Sequence, residues 1–117
     1  MSTTFLEKEE TLYLLNHIYK SPYTTQRLLS RRLNISLGKI NFLIKELSKK
    51  GWIKIKRAKN SDNKLAYFYL LTPYGIKAKA KLTKDFLERK LEEYSRLQRE
   101  IEDLKKETEK IPVNIPE

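Results

Sequence analysis

Between positions 36 and 45, Ser36, Leu37, Gly38, Lys39, Asn41, Phe42 and Lys45 gather an amide, two ammonium groups, a hydroxyl and two apolar tips. That mixture matches the edges of nucleic-acid bases. An asparagine amide can bridge N6 and N7 of adenine. A lysine can donate to guanine acceptors or to a phosphate, and Phe or Leu can pack on a thymine methyl group. Gly38 has two readings here: a missing side chain where a backbone would meet a groove wall, or simply a slack helix start. Just upstream, Thr25, Gln26 and Arg27 sit where a helix would begin, and the unpaired N–H groups of a helix start suit a phosphate. Downstream, Arg57, Lys59, Asn60 and Lys64 form a basic, polar set that can reach an adjacent minor groove or a backbone.

The residues of catalysis are not arranged for it. His17 is the only histidine and there is no cysteine, so no second imidazole or thiol exists to share a metal. His17 therefore reads as a structural or surface residue. The serines lack a histidine base, and the acids cluster among lysines near the C-terminus as solvated partners. Gly38, Gly51 and Gly75 are isolated, so no phosphate-cradling loop is present. The chain reads as a binding protein and not an enzyme, with no cofactor and no metal.

The elements that must position the base-reading set follow from apolar spacing. Thr24 and Thr25 can cap a short helix carrying Leu28, Leu29 and Leu33 on one side. Asn34-Ile35 makes a tight break. Ser36 caps a second helix in which Ile40, Leu43, Ile44 and Leu47 recur at spacings of three and four. With those four turned inward, Leu37, Lys39, Asn41, Phe42 and Lys45 are left outward, and Ser36 is a cap first and a phosphate contact second. The second helix stops at Lys49-Lys50-Gly51. Two short helices on one small apolar seam form a helix-turn-helix, the geometry that seats a helix in a DNA major groove.

Around this unit, Thr4 can cap a first helix with Glu7 as its capping-box partner, ended by Lys20-Ser21-Pro22. Leu12, Leu14, Leu15, His17, Ile18 and Tyr19 lie along it, as scaffold. From Trp52 to Arg57, apolar and basic residues alternate at period two, a half-buried strand. Asn60-Ser61-Asp62-Asn63 is dense in turn formers, and Leu65 to Leu71 is a second strand. Together they make a hairpin with a basic tip, a wing. Its Tyr67, Phe68 and Tyr69 can stack bases, but a two-stranded hairpin must pack on something, so the favoured reading is core, against Trp52 and the long helix.

Thr72-Pro73 opens that long helix, Thr72 as cap and Pro73 at the first position. Ile76, Ala80, Leu87, Leu91, Tyr94, Leu97, Ile101, Leu104 and Ile111 mark one face, heptad-like from Leu87 with a one-step slip near Tyr94. So small a domain cannot cover this seam, so Leu87, Leu91, Tyr94, Leu97, Ile101 and Leu104 are assigned to dimerisation. Folding back onto the chain's own domain is the alternative. Pro112 ends the helix. The domain reading is 4–75 for a winged helix-turn-helix, 73–111 for a coiled-coil-like dimerisation segment, and 112–117 for a tail.

Charge follows the same division. The 117 residues carry a net +10, yet residues 20–80 alone hold 15 Lys/Arg against Glu46 and Asp62, a net +13. A field so placed attracts polyanions and releases their counterions on contact. An apolar content of 39% supports a modest core, not a deep enzymatic pocket. With no long apolar run and a polar, acidic N-terminus, neither a membrane span nor a signal peptide is expected, and the cytoplasm is the expected location.

In its order of helix, helix-turn-helix, wing, Leu-Thr-Pro-x-Gly and long helix, the chain resembles the MarR-type winged-helix transcriptional regulators over about residues 6 to 107. The blocks that carry this are Thr25-Gln26-Arg27-Leu28-Leu29, Ile35-Ser36-Leu37-Gly38-Lys39-Ile40-Asn41, Lys50-Gly51-Trp52-Ile53, Asn60-Ser61-Asp62-Asn63-Lys64 and Leu71-Thr72-Pro73-Tyr74-Gly75. With Leu82-Thr83 and Phe86-Leu87-Glu88-Arg89-Lys90, they are similar to the exopolysaccharide-associated subgroup. The resemblance implies a homodimer on a promoter-proximal palindrome, with the second helix of the motif in the major groove and the wing in the minor groove. It implies polysaccharide gene clusters as targets. Many members bind a small phenolic effector, and no residue here identifies one. Where the family's wing commonly has Asp-x-Arg, Asp62-Asn63-Lys64 puts Lys in the Arg place, and Lys lacks the forked donor geometry of a guanidinium.

The fold class expected is mainly α with a small β-hairpin: a winged helix-turn-helix followed by a long C-terminal dimerisation helix. The partners expected are double-stranded DNA and a second copy of the chain, with no membrane. A winged-helix protein-interaction module and a replication or mobile-element DNA-binding protein are the alternatives.

Overall fold

The structure, a computed structural model, describes residues 5–59 and 65–110, with side chains over 8–57 and 67–110. Chain order is α1 (Phe5–Lys20), α2 (Gln26–Leu33), α3 (Leu37–Lys49), β1 (Ile53–Lys59), β2 (Leu65–Leu71) and α4 (Pro73–Lys110). This is the mainly helical architecture with one hairpin that the sequence predicts. The proposed roles of Thr4 and Glu7 in capping, of the 60–64 turn and of Pro112 and the tail lie outside the described residues.

The starts of α2 and α3 are fixed by side-chain caps. Thr25, in extended backbone, accepts the Leu28 N–H at 3.1 Å on its hydroxyl. Ser36 does the same for the Lys39 N–H at 3.2 Å. Each satisfies a donor that a helix start cannot pair internally. Between them, Asn34 adopts a left-handed φ of 55° and returns its N–H to the Ser30 carbonyl. Asparagine tolerates that region at low cost, so the chain reverses within a few residues. Gly51, at φ 75°, ends α3 in the same region.

The core lies where α1, α2, α3 and the base of the hairpin meet. Leu14, Leu15 and Ile18 come from α1 and Leu29 from α2, with Ile35 from the turn. Ile40, Leu43, Ile44 and Leu47 come from α3, and Ile53 and Tyr69 from the strands. Burying an aliphatic side chain of this size contributes roughly 1.5–3 kcal/mol, so the inward stripe of α3 fixes its rotation firmly. Leu33, Trp52, Leu71 and Leu82 close the edges.

The hairpin is antiparallel, with Ile53 opposite Leu71, Ile55 opposite Tyr69 and Arg57 opposite Tyr67. Period-two alternation puts Ile53, Ile55 and Arg57 on one face and Lys54 and Lys56 on the other. Pro22 and Tyr23 add a short third edge: the Pro22 carbonyl accepts the Tyr69 N–H at 3.1 Å, and the Tyr23 ring meets Phe68 edge-on at 4.1 Å.

Thr72 ties the hairpin to α4. Its hydroxyl donates to the Gly51 carbonyl and accepts the Gly75 N–H at 3.1 Å, while its own N–H reaches the Trp52 carbonyl at 3.0 Å. Pro73 follows at the first helical position, as the sequence predicts. The described residues up to Thr83 form one compact unit and those from Lys84 a second, wholly helical one. In the second unit Leu87, Leu91, Tyr94, Leu97, Ile101 and Leu104 are 42–63% exposed. No helix among the described residues is long and apolar enough to cross a membrane.

Candidate nucleic-acid interface

Burial of Ile40, Leu43, Ile44 and Leu47 decides what α3 offers outward. Leu37, Gly38 and Lys45 are exposed, and Phe42 is 46% exposed. Ser36 is exposed at the cap. Lys39 and Asn41, expected to be left outward, are half-buried. The physical reason is contact with neighbours: the Lys39 ammonium lies 5.4 Å over the Phe42 ring, and the Asn41 amide donates to Gln26 at 3.1 Å.

The starts of α2 and α3 converge on the hairpin. Thr25, Gln26 and Arg27 from the first, Leu37, Gly38 and Asn41 from the second, and Ile55, Tyr67 and Tyr69 from the strands line a groove of about 850 Å³. Six sequence-predicted site residues thus share one concavity. Arg57 stands at its outer strand, its guanidinium 5.6 Å over the Tyr67 ring directly across the hairpin. A cation so stacked keeps its planar donor fork in a defined plane. Ser36, Lys39, Phe42 and Lys45 are not part of that lining. Lys59 closes β1 opposite Leu65, and Asn60 and Lys64 lie outside the described residues. Arg31 and Arg32, a turn further along α2, are both exposed.

The aromatic strand divides, against the expectation that its three rings are core. Tyr69 is 4% exposed and belongs to the core, Phe68 is half-buried against Tyr23, and Tyr67 is 43% exposed in the groove. Alternation along β2 sends Phe68 to the opposite face from its neighbours. Ile55, which the sequence reading left in a half-buried strand, joins Tyr67 in the groove. Ile55 shares its strand parity with Ile53 and Arg57, the signal that turns it toward that face.

Burial pushes the Tyr69 phenol above its usual 10.0. A hydrogen bond with the Gln26 side chain offsets part of the rise and the nearby Tyr67 adds to it. Gln26 accepts the Asn41 amide N–H, so the starts of α2 and α3 are joined by one side-chain bond. Among the described residues, no three His, Cys, Asp or Glu side chains come together as a metal site.

Comparison with known proteins places this geometry in a class. Residues 12–54 match a family model described as winged helix-turn-helix DNA-binding. No curated protein sequence matches the chain. Among solved structures, the chain is similar to MepR, the transcription regulator of the Staphylococcus aureus multidrug efflux pump MepA, at 24% identity and TM-score 0.59 over 93% of this chain and 77% of that one. It is similar to the Mycobacterium tuberculosis MarR family protein Rv2887, solved with p-aminosalicylic acid, at 16% identity and TM-score 0.59 over 85% and 76% of the two chains. A Streptococcus transcriptional regulator matches at 18% identity and TM-score 0.59, over 89% of this chain and 99% of its own. The fold is that of a winged helix-turn-helix carrying a long C-terminal helix.

Proposed function

We propose that the chain is a MarR-type, sequence-specific regulator of transcription that binds double-stranded DNA as a homodimer. The observation that supports this most is the outer surface of α3. Its apolar stripe is consumed by the core, and Leu37, Phe42 and Lys45 stand at the surface beside the Asn41 amide. In a major groove, Asn41 takes an adenine edge, Lys39 and Lys45 take guanine acceptors or phosphates, and Leu37 and Phe42 pack on thymine methyl groups. Gly38 lets the helix start approach closely: a Cβ built there meets nothing within 4 Å.

The remaining contacts position rather than read. Thr25, Gln26 and Arg27 present a helix start to a phosphate, with Ser36 doing so for α3. Arg57 and Lys59, with Asn60 and Lys64 beyond them, take the flanking backbone or minor groove. The functional division is 4–75 for DNA and 73–111 for self-association. The exposed seam Leu87, Leu91, Tyr94, Leu97, Ile101 and Leu104 meets its copy in a second chain, so that two α3 helices lie one DNA turn apart, roughly 34 Å or 10 bp. The resemblance of Leu82-Thr83 and Phe86-Lys90 to the exopolysaccharide-associated subgroup supports polysaccharide gene clusters as targets.

Fluorescence anisotropy on labelled duplexes across a salt series tests the reading. Log affinity should fall linearly with log salt, by about 0.9 per neutralised phosphate. Absence of binding at low salt would refute it.

A further inference from the structure

Arg57 is the only arginine of the hairpin; Lys54, Lys56, Lys59 and Lys64 supply its other cations. We propose that Tyr67 is a positioning residue that holds the Arg57 guanidinium with its donor edge outward, and that the stacked pair makes the protein prefer A·T-rich flanks beside the site read by α3. The inference rests on the DNA-binding reading above and deepens what that reading gives to the wing.

The strand register builds the pair. Arg57 and Tyr67 stand directly opposite each other, one same-face step beyond Ile55 and Tyr69. That face carries Ile53 and Tyr69 into the core. Tyr69 is 4% exposed, whereas Tyr67 is 43% exposed and Arg57 is exposed. The core therefore anchors the inner part of the face and leaves its outer pair to solvent. Opposite residues on one face of an antiparallel pair lie within side-chain contact range, so the backbone keeps ring and cation together. The guanidinium lies 5.6 Å over the Tyr67 ring centroid.

Stacking uses the flat face of a guanidinium. Its N–H donors lie in the plane, at the edge, and stacking does not consume them. A long side chain loses rotamer freedom when it binds, and a ring that holds it beforehand removes part of that cost. A lysine ammonium has no flat face to lay on the ring. DNA shape then supplies the target. A-tracts narrow the minor groove and strengthen its negative potential, which draws an inserted arginine. A guanidinium is more weakly hydrated than an ammonium, so it enters such a groove at lower cost. Phosphates cannot give this preference directly, because they carry no sequence information. Any flank preference that depends on the Tyr67 ring must therefore pass through the cation stacked on it.

The test uses the full chain with Tyr67→Leu, Tyr67→Phe, Arg57→Lys, and Tyr67→Leu combined with Arg57→Lys. Each is titrated by anisotropy against two duplex pools that share a mixed-sequence core, one flanked by A-tracts and one by G·C pairs only. The unmodified chain should bind the A-tract pool more tightly. Tyr67→Leu should lower that preference about three-fold, the scale of a solvent-exposed cation–π contact. Its salt slope should not change, because no charge is removed. Tyr67→Phe keeps the ring and should keep the preference. Arg57→Lys keeps the charge and should lose the preference, and adding Tyr67→Leu to it should cost nothing more. Arg57 is exposed, so Arg57→Lys tests the pair even if Tyr67→Leu folds poorly. Equal affinity of the unmodified chain for the two pools, full preference in Tyr67→Leu or Arg57→Lys, loss in Tyr67→Phe, or additive losses would each overturn the proposal. The Arg57 side-chain resonances of the free protein carry the ring current of Tyr67 and should move in Tyr67→Leu; if they stay in place, the stack is absent. Failure of the parent reading looks different: neither pool is then bound at low salt, and the flank role falls with it.

Discussion

The Trp52 carbonyl lies directly against the α carbon of Gly75, in the first turn of α4. A Cβ placed on Gly75 would overlap the carbonyl oxygen and stand 2.9 Å from its carbon. That oxygen also accepts the Thr72 N–H, so it cannot withdraw without breaking the junction between hairpin and helix. Ordinarily Gly to Ala inside a helix is stabilising by up to about 1 kcal/mol. Here the sign reverses: Gly75→Ala should destabilise by about 1–3 kcal/mol, the usual range for forced overpacking. Gly38→Ala, with open space around it, should not destabilise. Urea denaturation of both variants checks the contrast, and equal midpoints for the two would refute it.

Titration of Tyr69 links burial to pH. Because its folded-state pKa is raised above 10.0, mainly by burial, its contribution to stability is complete below the unfolded value and is lost as pH climbs beyond it. The unfolded chain releases that proton first. Thermal melts of the chain and of Tyr69→Phe should therefore run parallel at neutral pH. Above pH 10.0 the parent should fall more steeply. Parallel curves throughout would show that Tyr69 titrates normally.

Sequence readers and backbone anchors should separate under substitution. Asn41→Ala is expected to narrow the gap between preferred and random DNA by about 1–3 kcal/mol. Arg27→Ala, which removes an exposed guanidinium at the start of α2, should weaken every duplex alike and flatten the salt slope by about one phosphate's share. Gel shifts on both duplex types distinguish them. A uniform loss in Asn41→Ala would remove it from the base-reading set.

The proposed function gives self-association to the α4 seam. Leu97→Glu puts a charge in the middle of an exposed apolar row flanked by Tyr94 and Ile101. It should shift the chain from dimer to monomer in sedimentation velocity while leaving helix content intact. DNA affinity should fall because the two half-sites lose their linkage. An unchanged sedimentation coefficient would place the interface elsewhere.

Local chemistry in the sequence was enough to locate the helices. Thr25, Ser36 and Thr72 each sit one residue before a helix they cap, and the inward stripe Ile40, Leu43, Ile44 and Leu47 follows from helical spacing alone. What the sequence concealed depends on where separate elements end relative to one another. Tyr67 and Tyr69 are chemically alike and two positions apart, yet one is 43% exposed and the other 4%. The bond between Gln26 and Asn41 spans fifteen positions, and the contact of Gly75 with Trp52 joins two turns that spacing cannot pair. Propensity acts within a few residues, and these contacts arise only after packing.

Selection of bound sequences from a random duplex library tests the central claim most directly, because it reports specificity, symmetry and spacing at once. The account predicts enrichment of an inverted repeat with half-site centres about 10 bp apart and a shared adenine lost when Asn41→Ala is selected in parallel. Recovery of unenriched sequence, from a protein that still binds DNA at low salt, would contradict it.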